Sequence, residues 1–205
     1  SALVLRALLH DGVDAYGLEY DAAMLARGRG RLCEAGVLDH EQRLVLGDMR
    51  SFEHRRAYQG VIVPYNTLAL FVQSDELRQV LDATRRNLSP SGELLFDLNL
   101  PVDQDWTHGR WQRAPIAITV GERHLRITER GEYDAATRLH HWIQQVVIDD
   151  NEVFEIARTL RHWRPETLTQ LFLEAGWVFD PTPVDQAGQP INAKSRLFIG
   201  RARVG

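Results

Sequence analysis

Short apolar runs alternate with helical segments through residues 1–101, and this order constrains the fold more than any other feature. The runs lack the polar alternation of a strand with one side in water, so both of their sides should be covered. They are "VDAYGLEY" (13–20), "RLVLGDMRSF" (43–52), "YQGVIVPYNTLALF" (58–71) and "ELLFDLNLP" (93–101). Helices are expected over residues 21–33 and from Ser74 to Pro90, the latter with Leu77 and Leu88 on its apolar stripe. The pattern predicts an α/β fold with a mostly parallel sheet and helices on both faces.

The pattern changes to a period of two between residues 106 and 163. Four antiparallel strands are predicted there, with turns at Gly121, Asp134 and Asp149. They are "IAITV", "HLRITERGEY", "RLHHWIQQVVID" and "VFEIARTLRHW". A helix and two strands, "VFDPTPV" and "SRLFIGRARV", then close the chain. We therefore expect an α/β domain from residues 1–101 and 164–205, and an antiparallel β-insertion over residues 102–163.

Composition narrows the class of partner. The 205 residues include 24 Lys and Arg against 28 Asp and Glu, a net charge of −4, so no overall basic field attracts nucleic acid. Cys33 is the single cysteine, which excludes a disulfide framework and suits a reducing cytoplasm. No apolar run approaches the ~20 residues of a membrane span. A cytoplasmic protein with a small-molecule partner, and with neither nucleic acid nor membrane, is the expectation.

Two predicted strands end on acids, Glu19 and Asp48. In open parallel sheets, ligands bind beyond the carboxyl ends of the strands, where an acid can accept hydrogen bonds from the hydroxyls of a ribose. The plainer interpretation is that Glu19 is a solvated loop acid, Asp21 the N-cap of the next helix, and Asp48 a turn residue after Gly47. We favour the ligand-binding interpretation for both acids.

Four motifs in order resemble one family, the class I S-adenosylmethionine-dependent methyltransferases. They are "GLEYDAAML" (17–25), "GDMR" (47–50), "PYNTL" (64–68) and "NLSPSGELLFDLNLP" (87–101). The resemblance is to small-molecule enzymes that carry an antiparallel β-insertion after the fifth strand. It implies a Rossmann-like sheet, S-adenosylmethionine as cofactor and S-adenosylhomocysteine as product.

The resemblance also implies roles for particular residues. Glu19 would bind the ribose, while Asp48 would accept from the adenine amine. The remaining cofactor-binding positions would be Tyr20, Met24, Gly47 and Met49 on the adenosine, and Pro64, Tyr65 and Asn66 at the sulfonium. A core position for Met24, a surface position for Tyr20 and a simple kink at Pro64 are the competing interpretations.

The sequence departs from the family at its start. The Gly-rich turn after the family's first strand is missing, and the chain opens instead on a helix with Leu3, Val4, Ala7 and Leu8 on one side. We expect the complete protein to contain the first strand and its turn, although this sequence does not include them. The alternative is a non-catalytic binding or scaffold protein on a degenerate methyltransferase fold.

Catalytic and substrate-binding candidates lie in the predicted insertion. Methyl transfer requires an oriented nucleophile and often a base, for which His140, His141, His162 and Tyr133 are candidates. Neighbouring histidines on a strand point to opposite faces, so no metal site is expected. Four tryptophans fit equally a substrate-pocket wall, the core of the insertion or the face of a homodimer: Trp106, Trp111, Trp142 and Trp163.

The predicted reaction is S-adenosylmethionine-dependent methylation of a nitrogen or oxygen atom in a small molecule. A nicotinamide dehydrogenase also places an acid after its second strand. However, Gly47, Asp48 and Met49 after the third strand, with antiparallel final strands, fit that class poorly.

Overall fold

The computed structural model describes residues 2–54, 57–100, 109–179, 184, 189–190 and 197–205. The chain forms two compact units. The first comprises Ser1–Arg56 and Gln79–Asn87, and the second comprises Ala57–Arg78 and Leu88–Gly205. No helix in the described residues combines the length and apolar character needed to cross a membrane.

The first unit contains a pair of parallel strands and several helices. In chain order these are α1 (Leu3–His10), β1 (Gly17–Glu19), α2 (Ala22–Glu34), α3 (His40–Arg43) and β2 (Leu44–Leu46). Helix α2 begins where predicted, because the carboxylate of Asp21 accepts from the backbone N–H of Met24 at 2.8 Å. The core joins helices α1 and α2 to β2 and to the segment before β1 through Leu5, Ala15, Leu25, Leu32 and Leu44.

Helix α4 (Ser74–Asn87) contributes residues to both units and ends on a buried asparagine. The Nδ2 group of Asn87 donates to the carbonyls of Ala83 and Phe52, and its Oδ1 accepts from the N–H of His54 at 2.7 Å. A buried amide is stable only when its donors and acceptors are used in this way. Asn87 thereby ties the segment after β2 to the end of the helix.

A four-stranded sheet forms the α/β part of the second unit. Its strands are β3 (Tyr58–Val63), β4 (Leu88–Asn99), β10 (Trp177–Phe179) and β11 (Leu197–Val204), in the order β10-β11-β4-β3. Strands β3 and β4 are parallel, and β11 is antiparallel to both β4 and β10. Helix α5 (Pro165–Glu174) supplies Phe172, which stacks on Phe96 of β4 with ring centroids 5.4 Å apart.

The second unit also contains an antiparallel sheet. Its strands are β5 (Arg110–Gln112), β6 (Ile116–Val120), β7 (Arg123–Asp134), β8 (Leu139–Ile148) and β9 (Glu152–Arg161). Strands β5 and β6 both pair with β7, which is followed by β8 and then β9. Strands β6 to β9 correspond to the four predicted from the period of two. Strand β5 was not predicted, because three residues are too few to show alternation.

The predicted end of α4 was wrong by several residues. Leu88 was assigned to the apolar stripe of the helix, but it is the first residue of β4 and pairs with Tyr58. Gly92 packs so closely there that an added Cβ would lie 2.9 Å from the carbonyl oxygen of Tyr58. The strand therefore begins before Pro90, which a strand tolerates near its first residues.

Candidate functional site

The two predicted acids lie at the same end of the β1–β2 pair. The strands are parallel with Glu19 opposite Leu46, and the carbonyl of Glu19 accepts from the N–H of Gly47 at 3.0 Å. Asp48 follows immediately, so both acids stand at the carboxyl ends of neighbouring strands. Both side chains are half-buried. Open α/β sheets bind ligands at this end of their strands.

The turn after β1 orients the carboxylate of Glu19. Its Oε1 accepts from the backbone N–H groups of Tyr20 at 3.0 Å and Asp21 at 3.2 Å. Within the described part of the chain, no hydrogen bond reaches its Oε2. One oxygen is thus held by the backbone, while the other can accept from a ligand.

Asp48 is bound by Arg50, two residues further along. The backbone N–H of Arg50 donates to Oδ1 at 2.9 Å, and its guanidinium donates to Oδ2 at 2.7 Å. The hydrogen bonds from the Arg50 side chain lower the pKa of Asp48. The "GDMR" motif was recognised in the sequence, whereas this ion pair was not.

The other predicted cofactor-binding residues of the first unit are close to these two acids along the chain. Tyr20 is 72% exposed and Met24 is 37% exposed, so Met24 is not a core residue. Gly47 lies close to Leu18, because an added Cβ would lie 2.6 Å from a methyl of that side chain, which would have to move. Met49 is half-buried.

The loop after β3 has a backbone conformation set by an acid on β4. Tyr65 and Asn66 have φ angles of 62° and 57°, in the left-handed region. Their N–H groups donate to Asp97, at 2.7 Å to Oδ1 and 2.9 Å to Oδ2. The side chain of Asn66 accepts from the N–H of Asn99 at 2.9 Å. This arrangement holds Tyr65 outward, 70% exposed, with Pro64 before it.

Asp97 lies within the recognised stretch "NLSPSGELLFDLNLP", but its hydrogen bonds to the loop after β3 were not predicted from the sequence. The signal that could have revealed them is an acid inside the apolar run "LLFDLN". An acid in such a strand needs donors nearby, since burying a carboxylate without them is costly.

Three aromatic or imidazole rings pack together at one end of the antiparallel sheet. Tyr133 lies opposite His140 across β7 and β8, and the ring of His162 lies 5.7 Å from that of His140 and 5.6 Å from that of Tyr133. The indole N–H of Trp111 donates to Nε2 of His140 at 3.1 Å. His162 donates from Nδ1 to the carbonyl of Asn99 at 3.4 Å, next to the Pro64–Asn66 loop.

Both buried histidines are neutral at pH 7. Burial lowers the pKa of His140 to about 4, as does repulsion from His162 when that ring is protonated, and burial lowers the pKa of His162 to about 4 as well. An indole N–H can only donate, so Nε2 of His140 is its acceptor nitrogen and the proton is assigned to Nδ1. In the described residues, these histidines belong to no group of ligating side chains that could hold a metal.

The structure separates the remaining candidates. His141 lies on the opposite face of β8, exposed, with Nδ1 2.9 Å from Oγ1 of Thr159. Trp111 and Trp142 both lie opposite Gly131, on the same face as His140.

The other two tryptophans differ in status. Trp163 is 4% exposed, and the guanidinium of Arg161 lies 5.1 Å from its ring. Trp106 lies outside the described residues.

Several solved methyltransferases share this architecture. The CcbJ methyltransferase of Streptomyces caelestis is 20% identical with a TM-score of 0.80, over 100% of this chain and 78% of that one. The chain has the class I methyltransferase fold. A S-adenosylmethionine-dependent methyltransferase from Clostridium acetobutylicum is 14% identical with a TM-score of 0.79, over 98% of this chain and 79% of that one.

A third methyltransferase structure is the sugar N-methyltransferase KedS8 of a Streptoalloteichus species. It is 18% identical with a TM-score of 0.74, over 98% of this chain and 75% of that one. No protein-family model and no curated protein matches the sequence. These structural matches establish the methyltransferase fold, which is an α/β fold of the Rossmann-like class. Because the sequence identities are low, the activity has to be argued from the residues.

Proposed function

We propose that the protein is an S-adenosylmethionine-dependent methyltransferase that acts on a nitrogen or oxygen atom of a small molecule. The observation that supports this most is the pair Glu19 and Asp48, at the carboxyl ends of neighbouring parallel strands in a methyltransferase fold. A diol and an aromatic amine are donors, and two carboxylates are suitable acceptors for them.

The two carboxylates fit the adenosine part of the cofactor as hydrogen-bond acceptors. Glu19 has an oxygen oriented by the turn and an oxygen ready to accept from the ribose hydroxyls. Arg50 keeps Asp48 ionised. The carboxylate of Asp48 has enough lone pairs to accept from the adenine amine as well as from that guanidinium. The cofactor supplies an electrophilic methyl group on a sulfonium and leaves as S-adenosylhomocysteine.

The remaining cofactor residues are proposed by the same resemblance. Tyr20, Met24, Gly47 and Met49 would contact the adenosine, and Pro64, Tyr65 and Asn66 the methyl-bearing end. The outward-held, exposed side chain of Tyr65 supports the second assignment.

We place the proton acceptor among Tyr133, His140 and His162. Their burial in one cluster supports this, whereas the exposed position of His141 on the opposite face weighs against that residue. Nε2 of His140 accepts from Trp111 and Nδ1 carries the proton, so at pH 7, above its pKa of about 4, this imidazole would take a substrate proton only after Trp111 gives up that hydrogen bond.

The substrate is proposed to be a compact amine or alcohol. Trp111, Trp142 and Trp163 would form apolar walls of the substrate site. The face of an indole ring can stabilise an amine cation. Residues 102–163 would cover the substrate site, and residues 1–101 with 164–205 would bind the cofactor. Because one structural neighbour is a sugar N-methyltransferase, we favour the nitrogen of an amino group as the methylated atom.

Calorimetry of the full-length protein with S-adenosylmethionine and S-adenosylhomocysteine tests this proposal. We expect saturable binding of both, and at least tenfold weaker binding after Glu19→Ala, since one or two hydrogen bonds to a charged acceptor, each worth about 1.5–3 kcal/mol, are lost. Glu34→Ala, at an exposed acid at the end of α2, is the matched control and should bind normally. If the wild type binds neither compound, the protein is a non-catalytic one on a methyltransferase fold.

A further inference from the structure

Three contacts place the indole of Trp111 against the buried imidazole of His140. Its ring lies over Gly131, where an added Cβ would be 2.9 Å from the ring. The guanidinium carbon of Arg113 lies 5.7 Å from the centroid of the same ring. The third contact is the indole N–H, which donates to Nε2 of His140 at 3.1 Å. We call the arrangement of Gly131, Arg113 and Trp111 the indole clamp.

The cation of the indole clamp is fixed by an acid on β7. The guanidinium of Arg113 donates to Oε2 of Glu129 at 3.1 Å, and the backbone N–H of Arg113 donates to the carbonyl of Glu129 at 2.9 Å. Oε1 of Glu129 accepts from the side-chain amide of Gln144 at 3.1 Å, so both carboxylate oxygens are used. Because the face of an aromatic ring attracts a cation, the anchored Arg113 restrains the indole.

The strand that carries Trp111 depends on this clamp for its position. Strand β5 pairs three residues with β7 and, within the described ranges, with no other strand. Gly109, directly before β5, has a φ angle of 88°, which a glycine adopts without strain. A strand with so few hydrogen bonds opens locally at low cost in free energy. The side-chain contacts of Trp111 therefore decide how firmly its indole stays against His140.

The hydrogen bond from Trp111 determines which nitrogen of His140 carries the proton. A neutral imidazole has one N–H and one acceptor nitrogen, and an indole N–H can only donate. Nε2 is therefore the acceptor while Trp111 contacts it, and the proton lies on Nδ1. The rings of Tyr133 and His162 pack against the same imidazole, with centroids 6.3 Å and 5.7 Å away.

The imidazole of His140 is connected to the loop after β3 through His162. Nδ1 of His162 donates to the carbonyl of Asn99 at 3.4 Å, and the N–H of Asn99 donates to the side chain of Asn66 at 2.9 Å. The indole clamp thus acts on an imidazole that lies one hydrogen-bonded step from the loop proposed to contact the methyl-bearing end of the cofactor.

We propose that Trp111 is a positioning residue for His140. Its indole N–H reserves Nε2 of the imidazole, and a substrate N–H or O–H reaches that nitrogen only by replacing the indole. Arg113 holds the indole in place until then, so release of Trp111 is a step of substrate binding. The part that concerns the substrate rests on the proposed function, in which His140 is one of three candidate proton acceptors.

Nitrogen-15 NMR of the imidazole rings in the full-length protein at pH 7.5 tests the role of Trp111. In the wild type, His140 should carry its proton on Nδ1. Trp111→Phe keeps an aromatic ring but removes the donor, and it should raise the share of the Nε2–H tautomer at least about threefold, the factor expected for one neutral hydrogen bond. Trp142→Phe is the matched control, because Trp142 also lies opposite Gly131 but does not bond His140.

Hydrogen exchange of the Trp111 indole N–H tests the indole clamp. Arg113→Gln removes the cation from the ring and should speed this exchange about two- to fivefold, as expected for a cation near an exposed aromatic face. Arg110→Gln is the matched control, because Arg110 lies on the same strand, has a side chain that is 86% exposed and pairs with Glu132. Its indole exchange rate should equal that of the wild type.

Steady-state kinetics test the part that concerns the substrate. The probe is the amino sugar that the full-length protein methylates fastest in a panel of free amino sugars. Trp111→Phe should lower the KM for this probe at least about twofold and leave kcat nearly unchanged, because the substrate no longer competes with the indole for Nε2. A purely structural role of Trp111 would raise KM and lower kcat instead.

Three results would overturn the proposal: an unchanged His140 tautomer in Trp111→Phe, the same tautomer change in Trp142→Phe, or a raised KM in Trp111→Phe. Equal indole exchange in the two arginine variants would remove Arg113 from the clamp. Circular dichroism of each variant excludes unfolding as the cause. Both NMR readouts are independent of methyl transfer, so a protein that methylates no amine refutes the proposed function while the tautomer still decides the role of Trp111.

Discussion

At the scale of single residues, one carboxylate determines the backbone of a whole loop. Tyr65 and Asn66 both adopt left-handed conformations, which cost about 1–3 kcal/mol each for residues other than glycine. The two oxygens of Asp97 each accept one of their N–H groups and offset this strain. The conformation of the loop therefore depends on a residue more than thirty positions away in the chain.

The substitution Asp97→Asn should loosen this loop. An amide has one acceptor oxygen in place of two, so one of the two N–H groups loses its partner and the unfolding free energy should fall by about 1–3 kcal/mol. Urea denaturation measures this loss. Asp82→Asn, at an exposed position on α4, is the control and should change stability by less than about 0.5 kcal/mol. Equal stability of the two variants would show that the Asp97 hydrogen bonds carry no net energy.

At the scale of elements, the pairing of β5 with β7 depends on a glycine. Trp111 lies opposite Gly131, and its ring lies over that glycine. This close approach allows the indole N–H to reach His140. A short strand of three residues is thus held by one ring and one hydrogen bond in addition to its backbone ladder.

The substitution Gly131→Ala should displace the Trp111 ring. The added methyl would lie 2.9 Å from that ring and closer still to the carbonyl oxygen of His141, so the strand or the ring must move. We expect a loss of about 1–3 kcal/mol and a changed resonance of the Trp111 indole N–H in NMR spectra.

Gly60→Ala on β3 provides the matched control for that substitution. Its added Cβ would lie 3.9 Å from the nearest atom, the carbonyl oxygen of Glu93, which is ordinary contact. An unchanged Trp111 resonance in Gly131→Ala would contradict the packing described for β5 and β7.

At the scale of the whole molecule, the buried histidines make stability depend on pH. Their pKa values of about 4 lie below the value of about 6.5 that histidine has in an unfolded chain. The unfolded chain therefore binds protons more readily between these values. Stability is complete above pH 6.5 and is lost as the pH falls toward 4.

Urea denaturation at pH 7.5, 6 and 5 should show this loss. At pH 5 the expected cost is about 2 kcal/mol for each histidine. The carboxylates with lowered pKa values, such as Asp48 and Asp149, contribute only at lower pH, so this window reports on imidazoles. The double variant His140→Gln/His162→Gln should have a flatter profile than the wild type, and an equally steep profile would locate the titrating groups elsewhere.

Local signals in the sequence predicted most of the elements. The Asp21 cap and its hydrogen bond to Met24 begin α2, and alternation of period two marks β6 to β9. The acids Glu19 and Asp48 were placed correctly at strand ends for the same reason, since a strand end is visible in a short stretch of residues. Their roles in binding remain predictions.

The features that the sequence did not predict depend on residues distant in the chain. Leu88 fits a helical stripe, but its pairing with Tyr58 makes it a strand residue. Asp97 looks like an acid out of place until Tyr65 and Asn66 supply its donors. In each case two local preferences were close in energy, and a long-range contact chose between them.

The amino-acid sequence by itself determined the kind of most elements and the alternation of sides along their strands, because these follow from periods of a few residues. It therefore required His140 and His141 to point to opposite faces. Only the tertiary structure decided that His140 is the buried one, beside Tyr133 and His162, whereas Phe154 at the other end of the same face is exposed. Burial is a property of what packs against a face, and those partners come from other parts of the chain.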